Sequence, residues 1–157
     1  SIGIVLELQN RLTEALHYVK KALEIQPENP DFWYVFAEVQ EKLGFFEEAL
    51  GAYQKVIECN YDDSDVWLDY SNCLLASGYK EDAISALTEG IKYFPEVAEL
   101  HYRMSAVLLE TGKRVEALTY LQTALVLDYE KHDELFMYAP DLKTDASILQ
   151  VISTYKK

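Results

Sequence analysis

The most reactive side chains in this chain are three histidines, His17, His101 and His132, and two cysteines, Cys59 and Cys73. A metal site or a nucleophile–base pair needs such groups at short, fixed spacings or as a convergent set. Here they are scattered, and each histidine stands alone on its predicted helix. There is no Gly-rich phosphate loop, no Gly-x-Ser-x-Gly and no His-Glu-x-x-His. The adjacent carboxylates Glu47 and Glu48 open a predicted helix, where acids complement the helix dipole without any catalytic role. Cys59 and Cys73 read as small core residues. These residues predict no catalytic centre, no metal and no cofactor.

The elements that hold them follow from composition and period. The chain has 157 residues, half of them hydrophobic and 26% charged, a globular composition. It carries 6 glycines and 4 prolines, against about 11 and about 8 in an average chain of this size. So few breakers point to helices. Acids number 27 against 14 bases, a net charge of −13. Such a surface repels nucleic-acid phosphates and anionic membranes. No apolar run approaches the roughly 20 residues of a membrane span. Two cysteines form no disulfide framework, which suits a reducing, cytoplasmic setting.

One period organises the sequence. Gly44, Gly78 and Gly112 stand 34 residues apart, as do Ala15, Ala49, Ala83 and Ala117. Trp33 and Trp67 keep the same step, and so do Pro27, Tyr61, Pro95 and Tyr129. Trp33, Phe36, Ala37 and Gln40 fall on one helical face. The glycines sit just past a first helix, where a left-handed residue ends it. Asn10 takes that place in the first copy. Asn29-Pro30 reads as a cap with proline at the first helical position, and Asp63 or Ser64 caps the equivalent helix one copy later.

With these residues the sequence resembles the tetratricopeptide-repeat family. The first-helix pattern Trp-x2-Leu-Gly-x2-Tyr appears as Trp33-x2-Phe36-Ala37-x2-Gln40, as Trp67-x2-Tyr70-Ser71-x2-Leu74 and as His101-x2-Met104-Ser105-x2-Leu108. The second-helix pattern Ala-x3-Phe appears as Ala15-x3-Val19, Ala49-x3-Tyr53, Ala83-x3-Leu87 and Ala117-x3-Leu121. The resemblance implies an all-α, right-handed α-solenoid over residues 1–130. It divides into a partial repeat over 1–29 and repeats over 30–63, 64–97 and 98–131, with capping helices over 132–157. Helix pairs are expected near 31–43 and 46–59, 65–77 and 80–93, and 98–111 and 114–127. The first repeat should keep a stub near 1–9 and a helix near 12–25. A short helix over His132–Tyr138 and a last one over 144–156 should cover the final apolar face, with Ile148, Leu149, Ile152 and Tyr155 inward. Because Ser1 falls inside a repeat, the expectation is a fragment of a longer chain or disordered residues upstream.

The resemblance also implies a concave groove on the first helices, used by the family to hold a peptide or helix. Here it would carry Tyr34, Glu38 and Glu41, then Asp65, Asp69 and Asn72, then Tyr102, Arg103 and Ala106. Acids dominate this set, although Asp65 falls in a first turn where acids are routine. An acidic binding groove and a merely solvated face both fit. Family members that clamp a C-terminal carboxylate use Lys, Asn and Arg at these positions. Tyr34, Glu38, Asp69 and Glu99 depart from that set and only Arg103 agrees, so the carboxylate-clamp co-chaperone role is not expected. The expected function is a protein-interaction scaffold or adaptor for a basic or amphipathic partner segment, with no nucleic acid and no membrane insertion. Two alternatives stand beside it: self-association through the open N-terminal end, with its apolar stub Ile2–Leu8, or through the C-terminal cap, and a non-catalytic docking arm of a longer enzyme.

Overall fold

The computed structural model describes residues 2–59 and 62–156, with side chains from Glu7 onward. The described residues form nine α-helices and no strand. These are α1 (Ile2–Ile25), α2 (Pro30–Lys42), α3 (Phe46–Glu58), α4 (Asp65–Ala76), α5 (Lys80–Tyr93), α6 (Ala98–Glu110), α7 (Arg114–Leu127), α8 (Asp133–Tyr138) and α9 (Ala146–Thr154). Two 3₁₀ turns, Tyr129–His132 and Pro140–Thr144, flank α8. The chain divides into two compact units, Ser1–Tyr79 and Lys80–Lys157. The division lies between α4 and α5, inside the third copy of the period.

The helix pairs lie where the period places them, and the reason is local. Gly44, Gly78 and Gly112 have φ of +88°, +87° and +81°, a region that costs glycine nothing. At each, two bonds close the preceding helix. Gly44 N–H donates to Glu41 O at 3.0 Å and Phe45 N–H to Gln40 O at 2.8 Å. Gly78 and Tyr79, then Gly112 and Lys113, repeat the same pair of bonds. Asn29 caps α2, its side chain accepting from the N–H groups of Asp31 and Phe32, with Pro30 opening the helix. Asp63, not Ser64, serves α4: its Oδ1 accepts from Asp65 N–H at 2.9 Å.

In the first unit α2 packs on α1 and α3, and α4 packs on α3. Ala37 and Ala49 are wholly buried, as expected of small residues that let helices approach. In the second unit α6 packs on α5, α7 and α8. Ser105 and Ala117, both fully buried, meet there, with the Ser105 hydroxyl donating to Ala117 O at 2.9 Å. Leu121, Leu125, Leu135, Ile148 and Ile152 complete one core with Tyr102 and Ala106.

Four expectations need correction. The first copy is not a stub and a helix but one helix, α1, of 24 residues. Asn10 is a costlier left-handed residue than glycine, and Arg11 Nη2 bonds Glu7 Oε1 at 2.7 Å across the expected turn, supporting the unbroken helix. The stub residues Ile2–Leu6 have side chains outside the described set. Cys59 is exposed, not core: α3 ends at Glu58, one residue short of it. The last helix begins at Ala146, because Asp145 caps it by accepting from Ile148 N–H, and Leu149 is exposed while Ile148 and Ile152 are buried. Tyr61, expected at a closing-proline position, lies outside the described residues.

Candidate functional site

The first unit carries two adjoining clefts. α2 presents Tyr34, Glu38 and Glu41 at steps of three and four residues, which puts them on one face. α4 presents Asp65, Leu68 and Asp69. Together with Asp31, Val35 and Asp63 they line a cleft of about 520 Å³ that holds five carboxylates and no base. Glu38 and Asp69 also border a second cleft, of about 400 Å³, with Glu41, Lys42, Phe46 and Tyr53.

Tyrosines buttress this acid cluster. The Tyr34 hydroxyl donates to Asp69 Oδ2 at 2.5 Å, tying α2 to α4. The Tyr53 hydroxyl donates to Glu41 Oε1 at 2.7 Å, tying α3 to α2. The two rings meet edge-on, with centroids 6.1 Å apart. Burial lifts the Glu38 carboxyl above the usual range, and Asp69 adds to the rise while Lys42 opposes it. Burial likewise lifts Glu41, against which the Tyr53 hydrogen bond and Lys42 act. Burial lifts Asp69 too, the Tyr34 bond opposing and Asp65 and Asp63 reinforcing. Three carboxylates are thus held partly desolvated and close to one another, and an incoming cation would relieve both costs.

Of the nine residues expected in the groove, the structure gathers Tyr34, Glu38, Asp65 and Asp69 around the first cleft and Glu41 around the second. Asn72 is half-buried on α4, outside both. The share expected from the fourth repeat is not open surface. Tyr102 and Ala106 have no exposure at all. The chain's own α8 covers that face of α6, and the Tyr102 hydroxyl donates to Asp128 O at 2.7 Å. Arg103 lies under the same segment, its guanidinium 4.2 Å from the centre of the Tyr138 ring. Tyr53, Phe46 and Asp63 were missed as lining residues. Tyr53 stands at a packing position of the second helix, and its hydroxyl was the available signal, since a buried phenol needs a partner.

Among the described residues no group of His, Cys, Asp and Glu is placed to hold a metal ion. Burial pushes the Cys73 thiol up to about 12, with Glu41 and Glu47 adding to the rise, so it stays protonated. No helix of the described residues is long and apolar enough to cross a membrane.

The fold has known counterparts. A search of curated proteins gives no match. Among solved structures the chain is similar to MamA, with a TM-score of 0.73 and 14% identity over 99% of this chain and 92% of that one. It is similar to YrrB, described as a TPR protein with an unusual peptide-binding site, with a TM-score of 0.67 and 17% identity over 97% of this chain and 81% of that one. It is also similar to a thermophilic TPR protein of Thermus thermophilus, with a TM-score of 0.62 and 24% identity over 98% of this chain and 93% of that one. Two tetratricopeptide-repeat family models match residues 6–68 and 74–131. The matched stretches take in all three positive-φ glycine turns, at Gly44, Gly78 and Gly112, and the chain belongs to the tetratricopeptide-repeat family.

Proposed function

We propose that the acidic clefts of α2, α3 and α4 bind a partner protein through a segment that is basic and amphipathic. The family is one of protein-interaction scaffolds, and this chain would act by binding, as an adaptor without a catalytic step. The observation that carries the reading is the cleft of about 520 Å³ with five carboxylates and no base. Its neighbour adds the half-buried ring of Phe46, which suits the apolar side of such a segment. A free C-terminal carboxylate is the wrong complement, since Glu38 and Asp69 would repel it. YrrB, also a TPR protein, has a peptide-binding site, which supports the class of ligand and nothing finer.

The test is a pull-down from source-cell lysate with mass spectrometry at two salt concentrations. Wild type is compared with Glu38→Lys, Asp69→Lys and with the neutral pair Glu38→Gln, Asp69→Asn. A partner retained by wild type, weakened by salt, reduced in the neutral pair and lost in the lysine pair is expected. Equal capture by all three would discard these clefts as the site.

A further inference from the structure

We infer that α1 pairs antiparallel with the α1 of a second copy of this chain. α1 packs on α2, burying Val19 and half-burying Leu12, Leu16 and Leu23. A second stripe beside that face has no such cover. Leu8, Arg11, Ala15, Tyr18, Ala22 and Ile25 follow steps of three and four residues in alternation, the spacing of a helix–helix seam. Leu8, Tyr18 and Ile25 are 57%, 70% and 79% exposed. Ala15 is the first of the close-approach alanines. Ala49, Ala83 and Ala117 have no exposure, while Ala15 keeps some. The residue type that lets a helix approach is present here, and no helix among the described residues completes the contact.

A second copy fits this stripe by charge and by size. The chain carries −13, which opposes self-association. Residues 7–25 are the exception: Glu7, Glu14 and Glu24 balance Arg11, Lys20 and Lys21. With a two-fold axis crossing between Leu16 and His17, Leu8 faces the second copy's Ile25. Arg11 then faces its Ala22, and Ala15 its Tyr18, so each large side chain meets a small or apolar one. Glu7, Glu14 and Lys21 flank the stripe on its outer side at steps of seven. In the same register Glu14 lies beside the second copy's Lys21, and the symmetric pair repeats the contact. A parallel pair would instead set Arg11 against Arg11. The acidic clefts are not part of this seam.

Analytical ultracentrifugation of the whole chain across a concentration series tests it, with circular dichroism as the folding control. Wild type should self-associate to a dimer. Tyr18→Asp, at an exposed site, should abolish the dimer with helicity unchanged. Glu14→Lys and Lys21→Glu should each weaken it about tenfold, since two exposed ion pairs become repulsions. An equimolar mixture of those two variants should associate more tightly than either alone, because the mixed pair sets like-charged flanks against opposite ones. A wild type that stays monomeric throughout overturns the proposal, and is also what a face covered by another segment or a foreign protein would give. A dimer indifferent to Tyr18→Asp, or a mixture no tighter than its components, overturns it equally.

Discussion

Tyr53→Phe isolates the buttress beneath the acidic clefts. Tyr53 is 1% exposed, so phenylalanine fills the same space and only the hydroxyl is lost. That hydroxyl donates to Glu41 Oε1 at 2.7 Å. A hydrogen bond to a charged group contributes about 1.5–3 kcal/mol, and Glu41 is partly open to water, so about 1.5 kcal/mol is expected. Burial holds the Glu41 carboxyl above the usual range and the Tyr53 bond is the largest influence pulling it down. Removing the bond therefore raises that carboxyl further. A folded-state pKa above the unfolded value means the native chain binds more protons between the two, so stability falls as pH rises through that window. The variant's window extends higher than the wild type's. Its deficit should be full near pH 8 and shrink toward that of a neutral hydrogen bond, about 0.5–1 kcal/mol, near pH 4. Urea melts at the two pH values measure this. Glu41→Gln in the same background keeps an acceptor without the charge and should flatten the difference. A loss equal at both pH values, or none near pH 8, would refute a charge-assisted buttress.

Three further outcomes are expected. Gly44→Ala should destabilise the first unit by about 1–2 kcal/mol through its φ of +88° alone, since nothing lies within 4 Å of the added Cβ; Gly78→Ala and Gly112→Ala should match it in thermal melts. Ala117→Leu, at a site with no exposure against Ser105, should cost about 1–3 kcal/mol by overpacking, whereas Ala15→Leu should cost less because that site is still partly open. The Arg114 hydrogen bonds, first among several influences, hold the Asp145 carboxyl below the usual range. Its contribution is therefore present above the unfolded pKa and lost as pH falls through the lower folded value, and Asp145→Asn should remove that acid dependence in a pH-resolved melt.

The repeat was readable because its determinants are local. A glycine just past a helix end takes a positive φ at little cost, so its fixed step marks each helix end, and Asn29-Pro30 fixes a helix start from two residues. The unreadable parts were decided at a distance. Asn10 is an acceptable left-handed residue, and whether the chain turns there depends on what packs on each side of it. Tyr102 and Ala106 occupy groove positions by period, but α8, some 30 residues later in the chain, covers them. Asp133–Tyr138, two acids followed by the apolar run Leu135–Tyr138, announces a short helix and not the face it will cover. Glu38 and Asp69 were legible as acids, while the clefts around them were not, because the first needs α2 and α4 together and the second needs α2, α3 and α4 at once.

His101 shows why a departure from a motif need not break the structure that the motif builds. Trp33 Nε1–H donates to Pro27 O at 2.7 Å, six residues back. His101 stands two periods later and its Nε2 lies 2.9 Å from Pro95 O, again six residues back. A backbone carbonyl only accepts, so Nε2 carries the proton and the imidazole replaces the indole donor atom for atom. Nδ1 is buried without a hydrogen-bond partner, which is consistent with a nitrogen that has no proton to place. His101 is 5% exposed, and the ring sits 6.0 Å from that of Tyr120, so the substitution keeps an aromatic plane as well. Long-range nitrogen–proton NMR should therefore find the Nε2–H tautomer. His101→Phe, which keeps a ring and loses the donor, should cost about 0.5–1.5 kcal/mol in urea melts, and His101→Trp should restore the bond at the price of added volume. An Nδ1–H tautomer, or a phenylalanine variant as stable as wild type, would mean that the ring packs there without standing in for the tryptophan.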